Sequence, residues 1–440
     1  MRNFYDGEGA DHAIRIEIPP GQYAPSFVSR RGRAAAALAP VNTETAVVAA
    51  ERLPAFPPRP VGPRWGGLPL LPGKRRLQFY GAAAVVAGFL AVSMWSLRGR
   101  HAANTVGFPA SVESPEVVYR ISSGSYVTPY VDDLGMTWGD DRFFEGGDAV
   151  QISEDQINGG QINGGWGTGI FGTRREGKSF SYAIPLEAGA YEVHLHFAET
   201  TFGAHNPGTG EASRIFDVTA NGQPLLTAFD VLSDAGGREN AATTKVFAGL
   251  QPDAEGFLRL DFAAISSTAI LNAIEVFKSE SGQPLPVRVL AGDRKSQVID
   301  KAGRSWGPDR HFFGGRSVPR MNAILNSEDP TLFAAERYGN FRYVIPVADR
   351  VYTLRLYFAE TWWGDRNPGG SGEGSRVFDV LCNGGTLLEK FDVYKEAGGE
   401  NREIVKTFEG IKPNPQGRIE LSFIPRANYA FINAIEIVAQ

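Results

Sequence analysis

The sequence predicts an all-β protein: two tandem antiparallel β-sandwiches, with one N-terminal transmembrane helix and a largely disordered N-terminal segment ahead of them. Three observations carry this reading. First, the chain says nearly the same thing twice. Phe197-Ala198-Glu199-Thr200 returns as Phe358-Ala359-Glu360-Thr361, Phe229-Asp230-Val231 as Phe391-Asp392-Val393, and Asn272-Ala273-Ile274-Glu275 as Asn433-Ala434-Ile435-Glu436. The offset stays at 161 or 162 residues, far beyond a solenoid period and the length of a whole domain. Second, Tyr191 to Phe197 and Tyr352 to Phe358 alternate apolar and polar residues, as half-buried strands do. Third, 52 glycines and 28 prolines punctuate the chain, and long amphipathic stretches are hard to find, so turns and short strands prevail.

The two copies are expected at 117–280 and 284–440, after a polar linker at 98–116. Asn221-Gly222 and Asn383-Gly384 lie between apolar runs and predict tight hairpin turns. The single cysteine, Cys382, excludes an intramolecular disulfide and reads as a small buried hydrophobe in a strand. Exported domains without disulfides suit a bacterial protein.

Residues 77–97 contain no charge. Twenty-one helical residues span about 30 Å, the thickness of a bilayer's hydrocarbon core. Tyr80 and Trp95 fall where interfacial aromatics belong. Residues 1–76 carry a net charge of +5 and the remainder −10. The positive flank predicts a cytoplasmic N-terminus, with the repeats periplasmic or extracellular. The expectation is a single-pass inner (plasma) membrane protein whose partner along 77–97 is the lipid bilayer.

The proline- and arginine-rich stretch before the span cannot bury enough apolar surface to fold. Within it, Ile14, Ile16 and Ile18 alternate with polar residues, and Pro19-Pro20-Gly21 makes a turn, which predicts a hairpin over 14–28. Such a hairpin is either disordered or part of a larger unit. The string Ile14 to Phe27 resembles the end of a winged-helix-like module that precedes membrane anchors in some bacterial signalling proteins. No recognition helix is visible, and the local positive charge reads as linker and topology signal, so no nucleic-acid partner is expected.

The ordered series Glu336-Arg337-Tyr338, Phe341 to Pro346, Tyr357 to Trp363, Arg376 to Val380, Asn383-Gly384, Phe391-Asp392-Val393, Glu396 to Gly399 and Asn433 to Glu436 resembles the malectin domain. That family is a carbohydrate-binding β-sandwich related to galactose-binding-like jelly rolls. The resemblance implies a site of aromatics from several loops plus one acidic residue. Carried over residue by residue, it falls on Phe313 (with Phe312 beside it), Tyr338, Trp362, Trp363 and Asn428. An amide thus stands where the family has a carboxylate, and Phe313 lacks a tyrosine hydroxyl. The first copy retains Phe144 and Phe202, with Thr201 and Ser267 at other site positions and Tyr338 aligned near Gly177. It is a spacer or binds something else. Trp138 and Trp306, each before a glycine, read equally as core or as sugar platform. Adjacent strand residues face opposite sides, so at most one of Trp362 and Trp363 is core. The Asn-Pro-Gly loops at 206–208 and 367–369 read as a lid or as inert surface.

Catalysis is not expected. Glu199 with Glu360 and Asp217 with Asp379 recur in both copies beside apolar residues, as structural acceptors do, and no catalytic domain is recognisable. His194 and His196 share one strand face, as two metal ligands would, but their counterparts are Arg355 and Tyr357, so no metal is expected. Asp132-Asp133 and Asp140-Asp141 lack the spacing of a calcium loop. No cofactor fingerprint is present. The expected function is non-catalytic capture or sensing of an extracytoplasmic oligosaccharide or polysaccharide. The alternatives are an assembly protein that uses the sandwiches for protein contact, and a glycosidase accessory subunit.

Overall fold

The computed structural model describes residues 14–17, 26–29 and 115–440, apart from 127–128, 133, 153–167, 204–209 and 295. Strands dominate it. The expected membrane span at 77–97 and the proline-rich segment lie outside the described residues. Among the described residues no helix is long and apolar enough to cross a membrane. Ile14–Glu17 pairs antiparallel with Ser26–Ser29.

Each repeat folds as two packed sheets. In the first module, the larger sheet runs Gln223–Phe229, Ile215–Ala220, Phe257–Ser266, Thr173–Pro185, Ala269–Leu271, with Phe144–Gln151 also on Thr173–Pro185. The smaller sheet runs Ala242–Leu250, Tyr191–Ala198, Ala273–Lys278, Val117–Ser122. The second module repeats this order. Its larger sheet is Phe312–Pro319, Ala335–Pro346, Arg418–Ala427, Val377–Cys382, Gly385–Phe391, with Ala430–Ile432 on Ala335–Pro346; its smaller sheet is Val287–Leu290, Ala434–Ala439, Tyr352–Ala359, Glu403–Ile411. All these pairings are antiparallel.

The repeated motifs are the parts that make this fold. Leu195 and Phe197, like Leu356 and Phe358, face the partner sheet in the core, and alternation sends their neighbours to the outer face. Phe229-Asp230-Val231 and Phe391-Asp392-Val393 each bury the phenylalanine and valine while the aspartate caps a short helix: Asp230 accepts from Leu232 and Ser233 N–H, and Asp392 from Lys395 N–H. That satisfies amides which the helix start leaves unpaired. Asn221, Gly222, Asn383 and Gly384 all take positive φ, as two-residue hairpin turns require. Asn433 bridges the sheets: its Oδ1 accepts from Ala359 N–H at 2.9 Å and its Nδ2 donates to Ala335 C=O at 2.8 Å. Asn272 does the same for Ala198 and Thr173.

Trp138 and Trp306 are core residues, not platforms. They are 2% and 0% exposed, and each indole N–H donates at 2.9 Å to the aspartate six residues earlier, Asp132 or Asp300. Asp141 and Asp309 are also structural. Each carboxylate is buried, takes two N–H groups of Arg175 or Arg337, and accepts the hydroxyl of Tyr182 or Tyr343 at 2.8 Å.

The modules contact each other directly. Arg418 donates to Asp234 C=O at 3.0 Å and to its carboxylate at 2.5 Å, Lys245 bridges Asp234 to Gln416 C=O, and Leu285 N–H donates to Glu192 at 2.7 Å. A groove of about 590 Å³ lies between them, with Leu226 and Phe247 on one wall and Val347 and Pro415 on the other.

Candidate functional site

The family-position residues of the second module gather around one end of its larger sheet, with one exception. Tyr338 lies on Ala335–Pro346, opposite Phe431 on the adjoining short strand. Its ring meets that of Tyr429 edge-on, with centroids 5.7 Å apart, and Tyr429 is 58% exposed. Asn428 holds the turn before it with φ of 53° and donates to Ser375 C=O. Beneath these residues Arg376 lies 4.3 Å from the Phe431 ring centroid. Two residues before Tyr338 on the same strand, and so directed to the same side, Glu336 accepts from Arg320 at 2.7 Å. Arg320 in turn stands over the Trp362 ring at 5.5 Å.

Trp362 and Trp363 follow the strand Tyr352–Ala359 rather than lying in it. Strand alternation therefore does not govern them. Glu360 does: its Oε1 accepts both Trp362 N–H at 2.9 Å and Trp363 N–H at 3.0 Å. The Asn-Pro-Gly loop then folds back onto the pair. Gly369 N–H donates to Trp362 C=O at 2.9 Å, and Asn367 Nδ2 to Trp363 C=O at 3.2 Å. A Cβ on Gly369 would stand 2.7 Å from that carbonyl oxygen and 2.8 Å from Trp363 Cε3, so only glycine fits. Asn322 fastens the loop by donating to Asn367 and Asn401. This loop is a bracket that holds the tryptophans, neither lid nor inert surface. Its first-module counterpart at 206–208 lies outside the described residues. Trp363 is half-buried, while Trp362 is 38% exposed.

Phe313 is the exception. It pairs with Arg342 in the sheet and lies between the guanidinium of Arg342, at 4.9 Å, and that of Arg238 from the first module, at 5.7 Å. It belongs to the junction between modules. Sequence alignment of the first copy is also off by one here: Phe144, opposite Tyr182, matches Phe312, opposite Tyr343, and Glu145 matches Phe313. Phe144 is covered by Arg175 at 3.4 Å, as Phe312 is by Arg337 at 3.3 Å.

The buried charges differ between the modules in a way sequence reading missed. Arg376 Nε stands 3.3 Å from Glu360 Oε2, and its Nη1 3.6 Å from Glu336 Oε1. Yet these two nitrogens, Glu360 Oε2 and Arg320 Nε are buried without a hydrogen bond. Burial raises the Glu360 carboxyl above its usual range, and Arg376 and the two tryptophan N–H groups only partly offset this. In the first module the matching network is closed. Arg214 donates to Glu199 at 2.6 Å and to Thr268 C=O at 2.9 Å. Glu176 stands where Tyr338 stands and accepts from Arg174 and the Thr268 hydroxyl, both at 2.6 Å. Burial would raise the Glu176 carboxyl, but Thr268, Arg174 and Arg214 hold it below its usual value. Phe202 lies under Arg214 at 5.0 Å.

The carboxylates that first suggest catalysis hold backbone N–H groups in both modules. Glu199 holds the backbone of Thr201 and Phe202 as Glu360 holds the tryptophans. Asp217 and Asp379 accept from Ala228 and Lys390 N–H at 2.7 Å, pinning residues with positive φ.

Paired two-sheet sandwiches, with aromatics exposed at a sheet end over a polar cluster, define a tandem β-sandwich binding protein. The Malectin domain family matches residues 117–282 and 288–414, and the chain belongs to that family. Malectin domains are a carbohydrate-binding family. The chain is 30% identical over 173 residues to "Receptor-like protein 4" of Arabidopsis thaliana, covering 34% of this chain and 26% of the relative. It is 32% identical over 87 residues to "Malectin-A" of Xenopus laevis, covering 19% and 28%. The chain thus spans little more than a quarter of either relative. Among solved structures, the ANX2 ectodomain from Arabidopsis thaliana superposes with a TM-score of 0.40 at 19% identity, covering 72% of this chain and 95% of the other.

Proposed function

We propose that this protein is a non-catalytic glycan-binding protein of a bacterial inner membrane, tethered through residues 77–97, with the modules outside the cytoplasm and the second module as the binding module. The observation that carries this reading is the grouping of Trp362, Tyr338, Tyr429 and Asn428 over the Glu336–Arg376–Glu360 cluster. Flat apolar rings stack on the C–H faces of a sugar. The Asn428 amide and the Tyr429 hydroxyl reach its hydroxyl rim. The bracket loop and Glu360 hold the platform in advance, which limits the ordering cost of binding. In the first module Glu176 replaces Tyr338 and spends its hydrogen-bonding capacity on its own neighbours, which makes that module the spacer.

A glycan array probed with residues 117–440 tests this reading. Binding to a defined oligosaccharide class, weakened in Trp362→Ala, supports it. A protein that binds no glycan but captures a second protein through the same face would replace it with the assembly reading.

A further inference from the structure

We propose that His194, His196 and Glu275 form a site for a divalent transition-metal ion of the zinc class on the outer face of the first module's smaller sheet. His194 and His196 lie two residues apart on Tyr191–Ala198, and Glu275 comes from the paired strand Ala273–Lys278, opposite His194. One ligand atom from each of the three lies within 4.8 Å of the others. His196 Nε2 is 3.1 Å and His194 Nδ1 3.7 Å from the same oxygen, Glu275 Oε2. Tetrahedral zinc with nitrogen and oxygen arms of about 2 Å places its ligand atoms about 3.3 Å apart, so small side-chain adjustments suffice.

The surroundings are those of a metal site. The far nitrogen of each imidazole is already held: His194 Nε2 by Glu192 Oε1 at 2.7 Å, and His196 Nδ1 by the Thr244 hydroxyl at 3.0 Å. Such outer partners orient ligating histidines and select their tautomer. Glu275 Oε1 is anchored by Arg120 Nε at 2.8 Å, which leaves Oε2 for the ion. All three side chains keep a small exposed fraction, so an ion can enter. The Arg310 guanidinium and His311 of the second module couple electrostatically to this cluster, and the positive charge of Arg310 opposes the ion.

The second module supplies the comparison. There the matching carboxylate, Glu436, is held by Arg288 at 2.7 Å, Arg355 at 3.0 Å and the Tyr357 hydroxyl at 3.1 Å. Fixed arginines neutralise this carboxylate, and a phenol hydroxyl donates to it, without any ligand. Neutralising Glu275 therefore does not in itself call for two imidazoles converging on one oxygen.

The test uses the full-length, untagged chain after treatment with a chelator. Titration calorimetry with zinc chloride should show one saturable equivalent. Cobalt(II) should give the visible band of a tetrahedral nitrogen–oxygen site. His196→Gln and His194→Gln, made separately, should each weaken zinc binding at least about a hundredfold, with the circular dichroism spectrum unchanged. Installing Arg355→His with Tyr357→His in the second module should raise the bound zinc towards two equivalents. No saturable binding at about millimolar zinc, or equal binding by either folded glutamine variant, would overturn the site and establish Glu192, His194, His196 and Glu275 as a protonic network only.

Discussion

Tyr338 and Glu176 occupy the same place in the two modules. Each follows the arginine that clamps a buried aspartate, Arg337 on Asp309 or Arg175 on Asp141, and each lies opposite the middle residue of the same short strand, Phe431 or Ile270. With Arg174 answered by Glu336 and Thr268 by Tyr429 in the same register, the exchange separates an exposed aromatic cluster from a closed ionic one. A glutamate there can draw Arg174 and Thr268 to itself; a tyrosine cannot, and its ring turns to Tyr429 instead.

Binding should therefore be unequal. Losing one stacking platform costs about 1.4 kcal/mol, or tenfold in affinity. Calorimetry with the preferred glycan should show Trp362→Ala and Tyr338→Ala each weakened by about that factor. Phe313→Ala should leave glycan affinity unchanged, because Phe313 sits against Arg238 at the junction. A strong loss on Phe313→Ala would relocate the site.

Glu360 holds the backbone N–H groups of Trp362 and Trp363, and in the proposed function it is a positioning residue. Glu360→Gln keeps the shape but weakens the two bonds to Trp362 and Trp363 N–H. Glycan affinity should drop several-fold. Release of reducing sugar should be absent from the wild type and the variant alike. Time-dependent release by the wild type that vanishes in Glu360→Gln would reveal a glycosidase.

Asn433→Ala should be among the costliest single substitutions in the second module. It leaves Ala359 N–H and Ala335 C=O buried without partners, at about 1–3 kcal/mol for each group. Urea unfolding of the folded variant should show a loss of about 2–5 kcal/mol in the second module's transition.

Acid should weaken the second module through Glu436. Burial raises this carboxyl, but Arg288, Arg355 and Arg304 overcome that and hold it below the ordinary glutamate value of about 4.5. A depressed carboxyl contributes stability that is fully present above the unfolded value near 4.5 and is lost as pH falls through the folded one. Melting temperature followed downward from pH 5 should fall less steeply in Glu436→Gln than in the wild type. Parallel acid limbs would remove Glu436 from this role.

The tether is tested by topology. A reporter enzyme active only outside the cytoplasm should work when fused after Gln440 and stay silent when fused before Leu77. The reverse pattern would invert the orientation.

The repeat itself, the strands with their Asn-Gly turns and the family were legible in the sequence. Each depends on local signals: side-chain alternation, the positive φ that Asn-Gly supplies, and an Asp that caps the helix beside it. Residues whose partners lie far along the chain were not legible. A near partner can be hidden as well: Asp132 and Asp300 lie only six residues before Trp138 and Trp306, but alternation alone leaves each indole core or platform, and only the folded turn sets it on that carboxylate. Phe313 read as a site residue, and packing between modules gave it to the junction. Sequence alone sets Tyr338 near Gly177, and only the ladder opposite Ile270 gives the place to Glu176. Glu275 lies 79 residues from His196 and joins it only because their strands pair. Periodicity reports which face a side chain takes; strand pairing and domain packing decide what it meets there, and binding chemistry depends on the meeting.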